Sequence, residues 1–167
     1  MASILSVQTA SGHLPPEGES HKVLSLADMR EAIIYIRDKK FPFPTEAKKG
    51  NAGSFFKNPV LSKIEYEALQ QRIFTDFGQI KVEQLAKIKF IEHDKIKIPA
   101  AYLIELCELK HLKSGGAAIN PNQPLVIINS SGLATAGDVL SLANLVRETV
   151  QQKTGIGLVF EPELIGF

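Results

Sequence analysis

The sequence predicts an α+β fold in which a small, mostly antiparallel sheet is covered by helices. Segments with apolar residues at helical spacing alternate along the chain with short β-branched runs. These runs are few, and the connections between them are irregular in length. At 167 residues the chain is long enough to bury one substantial core. We therefore expect one globular domain over residues 22–167, preceded by residues 1–21, which include a glycine- and proline-containing linker.

Two capping boxes, each a serine followed three residues later by an acidic residue, mark the first two helices. Apolar residues recur at helical spacing after both. The boxes are Ser25 with Asp28, opening a helix over residues 26–39, and Ser62 with Glu65, opening one that ends near Phe74. In the second helix we expect Ile64, Leu69 and Ile73 to share one face.

A proline and a third capping box mark two further helices. Pro99 suits the first turn of a helix over residues 100–109. Thr135 with Asp138 opens the longest helix, which extends to about Lys153 and is stopped by Gly155.

Short runs of β-branched residues predict the strands. Residues 95–98 alternate as in a half-buried strand, residues 125–128 have the length and branching of a buried one, and residues 156–160 form a last strand. Paired glycines at Gly115 and Gly116 predict a turn. One more apolar run lies near the start of the chain, at residues 4–7.

Composition and charge exclude several classes of protein. With 19 basic and 18 acidic residues, the formal net charge is only +1, so the basic footprint of a nucleic-acid-binding protein is absent. The single cysteine, Cys107, excludes a disulfide framework, and the four histidines lack metal-ligand spacing. No apolar run approaches the roughly 20 residues that span a bilayer. We expect a cytoplasmic protein with no metal, nucleic-acid or membrane partner.

The most unusual stretch is residues 50–54, Gly-Asn-Ala-Gly-Ser, where two glycines allow a sharp turn or a close approach to a ligand. The stretch lacks the Gly-Lys-Ser/Thr of a phosphate-binding loop and the Gly-x-Ser-x-Gly of a hydrolase elbow. On residue type alone, Ser54 is more typical of a turn than of a catalyst. Near the end of the chain, Glu161 and Glu163 would share a face if extended, as site residues or as solvated carboxylates.

Residues 50–59, Gly-Asn-Ala-Gly-Ser-Phe-Phe-Lys-Asn-Pro, closely resemble the signature loop of the UDP-N-acetylenolpyruvoylglucosamine reductases. Further similarities to the substrate domain of that family follow in the expected order, over residues 97–105 with Cys107 and Lys110, residues 115–118, residues 125–129 and residues 155–163. The resemblance extends over residues 25–166, nearly the whole predicted domain.

The resemblance implies an NADPH-dependent reaction of peptidoglycan synthesis, and with it a role in cell-wall formation, cell shape and cell division. A hydride passes from NADPH to FAD and then to the enolpyruvyl double bond of the substrate, UDP-N-acetylenolpyruvoylglucosamine, giving UDP-N-acetylmuramate. Ser54 matches the proton donor, and Glu163 the second essential acidic residue. The residues that match substrate contacts are Lys40 (or Lys39 beside it), Asn58, Lys110 and Gln123.

The resemblance also implies a missing partner, because the family's flavin-binding portion has no counterpart in this sequence. Residues 4–7 resemble the last strand of that portion, so residues 1–21 are interpreted as a residual strand plus linker. We therefore expect this chain to bind no FAD, to oxidise no NADPH and to be inactive alone.

Two other functions stay open at this point. One is a standalone, non-catalytic UDP-sugar-binding or regulatory module that has kept the fold without the flavin partner. The other is a structural interaction domain without a small-molecule site, which would make the polar loops incidental.

Overall fold

The structure is a computed structural model that describes residues 25–40 and 50–166, with Lys39 and Lys40 described by their backbone alone. The chain divides into two compact units, Met1–Arg37 and Asp38–Phe167. The predicted domain boundary at residue 22 and the predicted strand at residues 4–7 lie outside the described residues. Among the described helices, none is long and apolar enough to cross a membrane.

The first helix, α1, extends over Leu26–Lys40. It begins at the predicted capping box, since the Asp28 backbone N–H donates to Ser25 Oγ at 3.1 Å and the Ser25 N–H donates back to the Asp28 carboxylate at 2.8 Å. The start and the end of α1 therefore agree with the prediction to within one residue.

Residues 50–166 contain four more helices and seven short strands. The helices are α2 (Lys63–Phe77), α3 (Gln79–Ile88), α4 (Ala100–Leu106) and α5 (Ala136–Thr154). The strands are β1 (Asn51–Ser54), β2 (Val60–Leu61), β3 (Phe90–Glu92), β4 (Lys95–Lys97), β5 (Lys113–Ser114), β6 (Ala117–Asn120) and β7 (Gln123–Asn129). They form two sheets, in the order β1-β7-β6-β5 and β2-β4-β3, and every pairing is antiparallel. The predicted α+β class is confirmed.

Capping boxes also begin α2 and α5, as predicted. Ser62 and Glu65 exchange hydrogen bonds at the start of α2, and Thr135 and Asp138 do so at the start of α5. Hydrogen bonds from the backbone of Thr135, and then of Gly116, hold the pKa of the Asp138 carboxyl below its usual value. Gly155 ends α5 in the left-handed conformation, with φ of 77°.

One apolar core joins helices α2 to α5 to the larger sheet. Residues buried in it from several elements are Leu69 and Ile73 of α2, Leu103 and Ile104 of α4, Ile119 of β6, Ile127 of β7, and Leu142 and Val146 of α5. The predicted buried face of α2 is wrong at Ile64, which is 79% exposed, because Tyr66 rather than Ile64 lies in line with Leu69 and Ile73.

Three further elements differ from expectation. Helix α3 was not predicted, because Gly78 both ends α2 and precedes α3 without a side-chain cap. Helix α4 ends at Leu106 rather than near Leu109, since Glu108 adopts a left-handed φ of 63°. Residues 156–160 do not form a strand, because only one isolated bridge, Phe56 with Phe160, pairs them with the rest of the chain.

The predicted glycine turn joins β5 to β6 and packs tightly against the start of α5. A Cβ atom added at Gly116 would lie 2.7 Å from the backbone N and Cα of Ala134. The hydroxyl and the backbone N–H of Ser130 both donate to the carbonyl of Gly116, at 3.0 Å. Gly116 is therefore required for a close approach of two backbones.

Gly116→Ala is expected to destabilise the fold by about 1–3 kcal/mol, because the new methyl group overpacks against backbone that has no side-chain freedom to yield. The matched control is Gly137→Ala in the first turn of α5, where the added Cβ makes an ordinary contact of 3.6 Å with Thr135. That control should be neutral or slightly stabilising. Urea unfolding of the two variants provides the measurement, and equal stabilities would contradict the packing argument.

Candidate functional site

The predicted catalytic serine follows a bulge in β1. Asn51 pairs with Ile128 of β7 and Ser54 with Val126, so β1 advances by three residues while β7 advances by two. The extra residue is accommodated at Gly53, whose φ of 67° is left-handed. The Gly53 N–H donates to Asn51 Oδ1 at 2.9 Å. Of Gly50 and Gly53, the two glycines of the stretch 50–54, only Gly53 has a left-handed backbone that requires glycine.

This bulge decides which face of the sheet Ser54 occupies. Neighbours on a strand point to opposite faces, and cross-strand partners point to the same face. Ile127 lies in the main core with α4 and α5, whereas Val126, the partner of Ser54, is outside that core cluster. Without the extra residue, Ser54 would stand opposite Leu125, on the core side. We call the face that carries Ser54 and Val126 the outer face.

The same register turns the next residue inward. The Phe55 N–H donates to the Leu125 carbonyl at 2.8 Å, and the Phe55 side chain is only 4% exposed. Ser54 is exposed. A hydroxyl available to a ligand and a ring anchored in the core thus stand side by side on the chain.

The C-terminal segment runs antiparallel to the residues that follow Ser54. The Glu161 N–H donates to the Phe55 carbonyl and the Lys57 N–H donates to the Val159 carbonyl, both at 2.9 Å. Glu161 is therefore in backbone contact with the residue next to Ser54. Glu163 is exposed and lies two residues further on, a span of at most about 7 Å between Cα atoms. Segments more than a hundred positions apart in sequence meet here.

Three aromatic rings and one arginine hold these two segments together. The ring centroids of Phe160 lie 5.3 Å from Phe55 and 5.7 Å from Phe56, in edge-on and tilted arrangements. The guanidinium of Arg147, from α5, lies 4.9 Å from the Phe160 ring centroid. Aromatic pairs of this geometry and cation–π contacts each add roughly 0.5–1 kcal/mol to the burial of the rings.

Asn58 and Gln123, two of the predicted substrate contacts, already bond within the chain. Asn58 Oδ1 accepts the Ala100 N–H at 2.9 Å and so caps α4, where Pro99 has no side chain to do so. Gln123 begins β7, and its backbone N–H donates to Asn120 Oδ1 at 3.3 Å. Gln123 is on the strand that pairs with β1, three residues before the partner of Ser54.

Lys110 is not brought close to Ser54 by the fold. It precedes β5, which is the edge strand of the sheet on the side opposite to β1. Its ammonium group lies 2.9 Å from the Glu105 carboxylate. Lys110 lines a depression of about 450 Å³ with Tyr102 and Glu105, whereas Asn58 lines a separate cleft of about 410 Å³ with Lys57 and Gly155. The Lys40 side chain lies outside the described part of the chain.

Phosphates of a dinucleotide cofactor bind at helix N-termini with free N–H groups, and four of the five described helix starts are already occupied by a side chain, whereas the start of α3 has no side-chain cap. The starts of α1, α2 and α5 each hold a capping carboxylate that would repel a phosphate: Asp28, Glu65 and Asp138. The start of α4 holds Asn58. Within residues 25–40 and 50–166, no cluster of three His, Cys, Asp or Glu side chains could hold a metal ion.

Sequence reasoning missed three residues that shape this site. Asn51 accepts the Gly53 N–H before Ser54, and Phe160 of the C-terminal segment contacts Phe55 and Arg147. An asparagine two residues before a glycine is a local signal of a side-chain-to-backbone turn and was available in the sequence. The contacts of Arg147 and Phe160 join distant segments and leave no such local signal.

Phe160→Ala is expected to loosen the C-terminal segment from residues 55–57. The amide protons of Glu161 and Lys57 should exchange faster, while those of α5 keep their protection, because only the ring cluster is removed. The loss of stability should stay below the roughly 3–5 kcal/mol cost of truncating a fully buried ring, since Phe160 is only half-buried. Val159→Ala is the control, because Val159 is 60% exposed. Unchanged exchange at Glu161 in the Phe160 variant would contradict this role for the ring.

Comparison with known proteins identifies the family. Residues 44–165 match the family described as UDP-N-acetylenolpyruvoylglucosamine reductase, C-terminal domain. The UDP-N-acetylenolpyruvoylglucosamine reductase of Bacteroides fragilis is 36% identical over 147 residues, which are 88% of this chain and 40% of that protein. The enzyme of the same name from Pasteurella multocida is 39% identical over 135 residues, 80% of this chain and 35% of that protein.

The chain thus spans 40% or less of the length of these two relatives. The family match covers Ser54, Asn58, Lys110, Gln123 and Glu163. It lies wholly within the second compact unit, which holds both sheets. The chain belongs to the family of the C-terminal domain of UDP-N-acetylenolpyruvoylglucosamine reductase.

Proposed function

We propose that this chain is the substrate-binding and proton-donating part of the reductase that converts UDP-N-acetylenolpyruvoylglucosamine to UDP-N-acetylmuramate in peptidoglycan synthesis. The observation that carries the proposal is the position of Ser54. Its hydroxyl is exposed on the outer face, beside a backbone segment that leads directly to Glu163. We propose that a ligand on this face meets the Ser54 hydroxyl and the Glu163 carboxyl group together.

The reaction needs a proton donor at one carbon of the substrate. Reduction of the enolpyruvyl double bond adds a hydride to one alkene carbon and leaves negative charge on the other carbon and its carboxylate. A proton from Ser54 Oγ then forms the second C–H bond, and the serine regains a proton from solvent. Atoms and charge balance, because hydride and proton together add two hydrogens.

Serine is a weak acid, so this transfer depends on close placement and on a polar setting. The bulge supplies the placement by directing Ser54 outward from a sheet whose core side is fully packed. For Glu163 we propose a supporting role, in which its carboxyl group hydrogen-bonds to the enolpyruvyl group and orients it. Its exposed position near the end of the chain leaves it accessible to a ligand.

For the nucleotide sugar we propose contacts with Lys40, Asn58, Lys110 and Gln123. Lysine suits a diphosphate, because its compact charge needs no fixed geometry. Lys110 is already paired with Glu105, but an exposed pair of this kind is generally worth only about 0–1 kcal/mol, so a phosphate would displace the carboxylate at little cost. Asn58 has its side-chain oxygen engaged and would offer its amide N–H groups.

The hydride donor is proposed to come from outside the described residues. FAD, reduced by NADPH, is the donor that the family resemblance implies. We propose that a separate flavin-binding part holds it, and that the protein works in the cytoplasm. The chain alone should neither retain FAD nor oxidise NADPH. A purified sample with a flavin absorption spectrum would contradict this expectation.

Ser54→Ala tests the proposed function in the reductase assembled from this chain and a flavin-binding part. Reduction of UDP-N-acetylenolpyruvoylglucosamine should fall by about 10²–10⁴-fold, the usual contribution of a general acid. Flavin reduction by NADPH and calorimetric affinity for the UDP-sugar should stay within about twofold, because the hydroxyl is needed only for proton transfer.

The matched control is Ser141→Ala, which removes an exposed hydroxyl on α5. It should leave all three quantities unchanged. Normal turnover of the Ser54 variant would overturn the assignment of the proton donor. Failure of the unmodified chain to bind the UDP-sugar, alone or assembled, would overturn the proposed function as a whole.

A further inference from the structure

We propose that Asn51 is a positioning residue, whose side-chain oxygen holds the bulge that directs the Ser54 hydroxyl outward. The inference rests on the proposed function, because it assigns a role relative to Ser54 as proton donor. It adds a residue that neither touches the reacting atoms nor lies in the core.

At the bulge, one backbone N–H needs an acceptor other than the neighbouring strand. An extra residue in one strand disrupts the alternating hydrogen bonds with its partner. Here the N–H of Gly53, the left-handed residue, donates to Asn51 Oδ1 at 2.9 Å. Asn51 is itself anchored on one side, because it pairs with Ile128 and because Asn129 N–H donates to the Gly50 carbonyl at 2.9 Å. Its side chain therefore spans the bulge from a fixed strand end.

The far side of the bulge is anchored independently. Phe55 is buried against Phe56 and Phe160, with ring centroids 5.7 and 5.3 Å away. A return to the regular register would turn Ser54 inward and expose Phe55, which the packing of the three rings opposes. Loss of Asn51 should thus keep the register and the fold. Its loss should instead allow Gly53 and Ser54, between the two anchors, to adopt other backbone conformations.

A positioning role for Asn51 predicts a specific kinetic effect of its loss. If Asn51 only positions the donor, its loss lowers the rate of the proton-transfer step and leaves substrate affinity alone, because a misplaced catalytic group costs rate more than binding. Asn51→Ser should restore the hydrogen bond to the Gly53 N–H, because a Ser hydroxyl accepts from the N–H two residues on, although more weakly than asparagine. Gly53→Ala should have the same effect as loss of the Asn51 hydrogen bond, because a Cβ atom is disfavoured at positive φ.

The experiment compares Asn51→Ala, Asn51→Ser and Gly53→Ala with Gly50→Ala as the matched control. At Gly50 an added Cβ meets no heavy atom within 4 Å and the backbone is not left-handed. In the assembled reductase, Asn51→Ala and Gly53→Ala should lower kcat by about tenfold or more, with KM for UDP-N-acetylenolpyruvoylglucosamine and the rate of flavin reduction within about twofold. Asn51→Ser should recover most of kcat, and Gly50→Ala should equal the unmodified protein.

A second readout uses the chain alone and does not depend on assembly. In amide exchange followed by NMR, Asn51→Ala should speed exchange of the Gly53 N–H and shift the Ser54 resonances, while the Glu161 amide keeps its protection. Unchanged exchange at Gly53 would overturn the inference.

The outcomes also separate this inference from the proposed function. Loss of turnover in Ser54→Ala together with normal kcat in Asn51→Ala would overturn the role of Asn51 and leave the proton donor standing. A raised KM at unchanged kcat would make Asn51 a binding residue, which contradicts positioning. Equal losses for Asn51→Ser and Asn51→Ala would reject the hydrogen-bond acceptor as the cause.

Discussion

A single extra residue in β1, accommodated by the left-handed backbone of Gly53, decides which side chains of this loop face the core and which face outward. Strand residues alternate between faces, so a shift of one position exchanges the roles of neighbours. With the bulge in place, Phe55 packs inward and Ser54 stands on the outer face. The site therefore owes its form to a local irregularity within an otherwise regular antiparallel sheet.

The second constraint is the long-range contact between the two ends of the second compact unit. Residues 55–57 and 159–161 share two backbone hydrogen bonds, and three phenylalanine rings with Arg147 cover that contact. A pairing of two short segments is at best marginally stable without further strands or packing. The segments that carry Ser54 and Glu163 thus meet only when helix α5 and the core are assembled, which ties the proposed chemistry to the completed fold.

Local sequence signals predicted helix boundaries well where a capping residue marks the start or the end of the helix. The boxes at Ser25, Ser62 and Thr135 located three helix starts, and Gly155 located a helix end, because caps depend on residues three or four apart. Helix α3 has no such cap and was missed. The strand predicted at residues 156–160 was wrong, because β-branched composition does not supply a partner strand. Pairing is a property of the assembled sheet and not of the run itself.

The site, too, could be predicted from the sequence only in part. Resemblance to the reductases singled out Ser54 and Glu163, whose residue types alone favoured a turn and a solvated carboxylate. The bulge was not predicted, because it is defined by the register between β1 and a strand some 70 residues later. The local half of that feature, an asparagine two residues before Gly53, was visible in the sequence and was not interpreted.

The central claim is that the outer face beside Ser54 receives the enolpyruvyl group. A crystal structure of the chain with UDP-N-acetylenolpyruvoylglucosamine tests it most directly. We expect Ser54 Oγ to lie about 3–3.5 Å from an enolpyruvyl carbon, with the Glu163 carboxyl group at the other side of the ligand. An enolpyruvyl group bound elsewhere on the chain, with Ser54 out of reach, would contradict it.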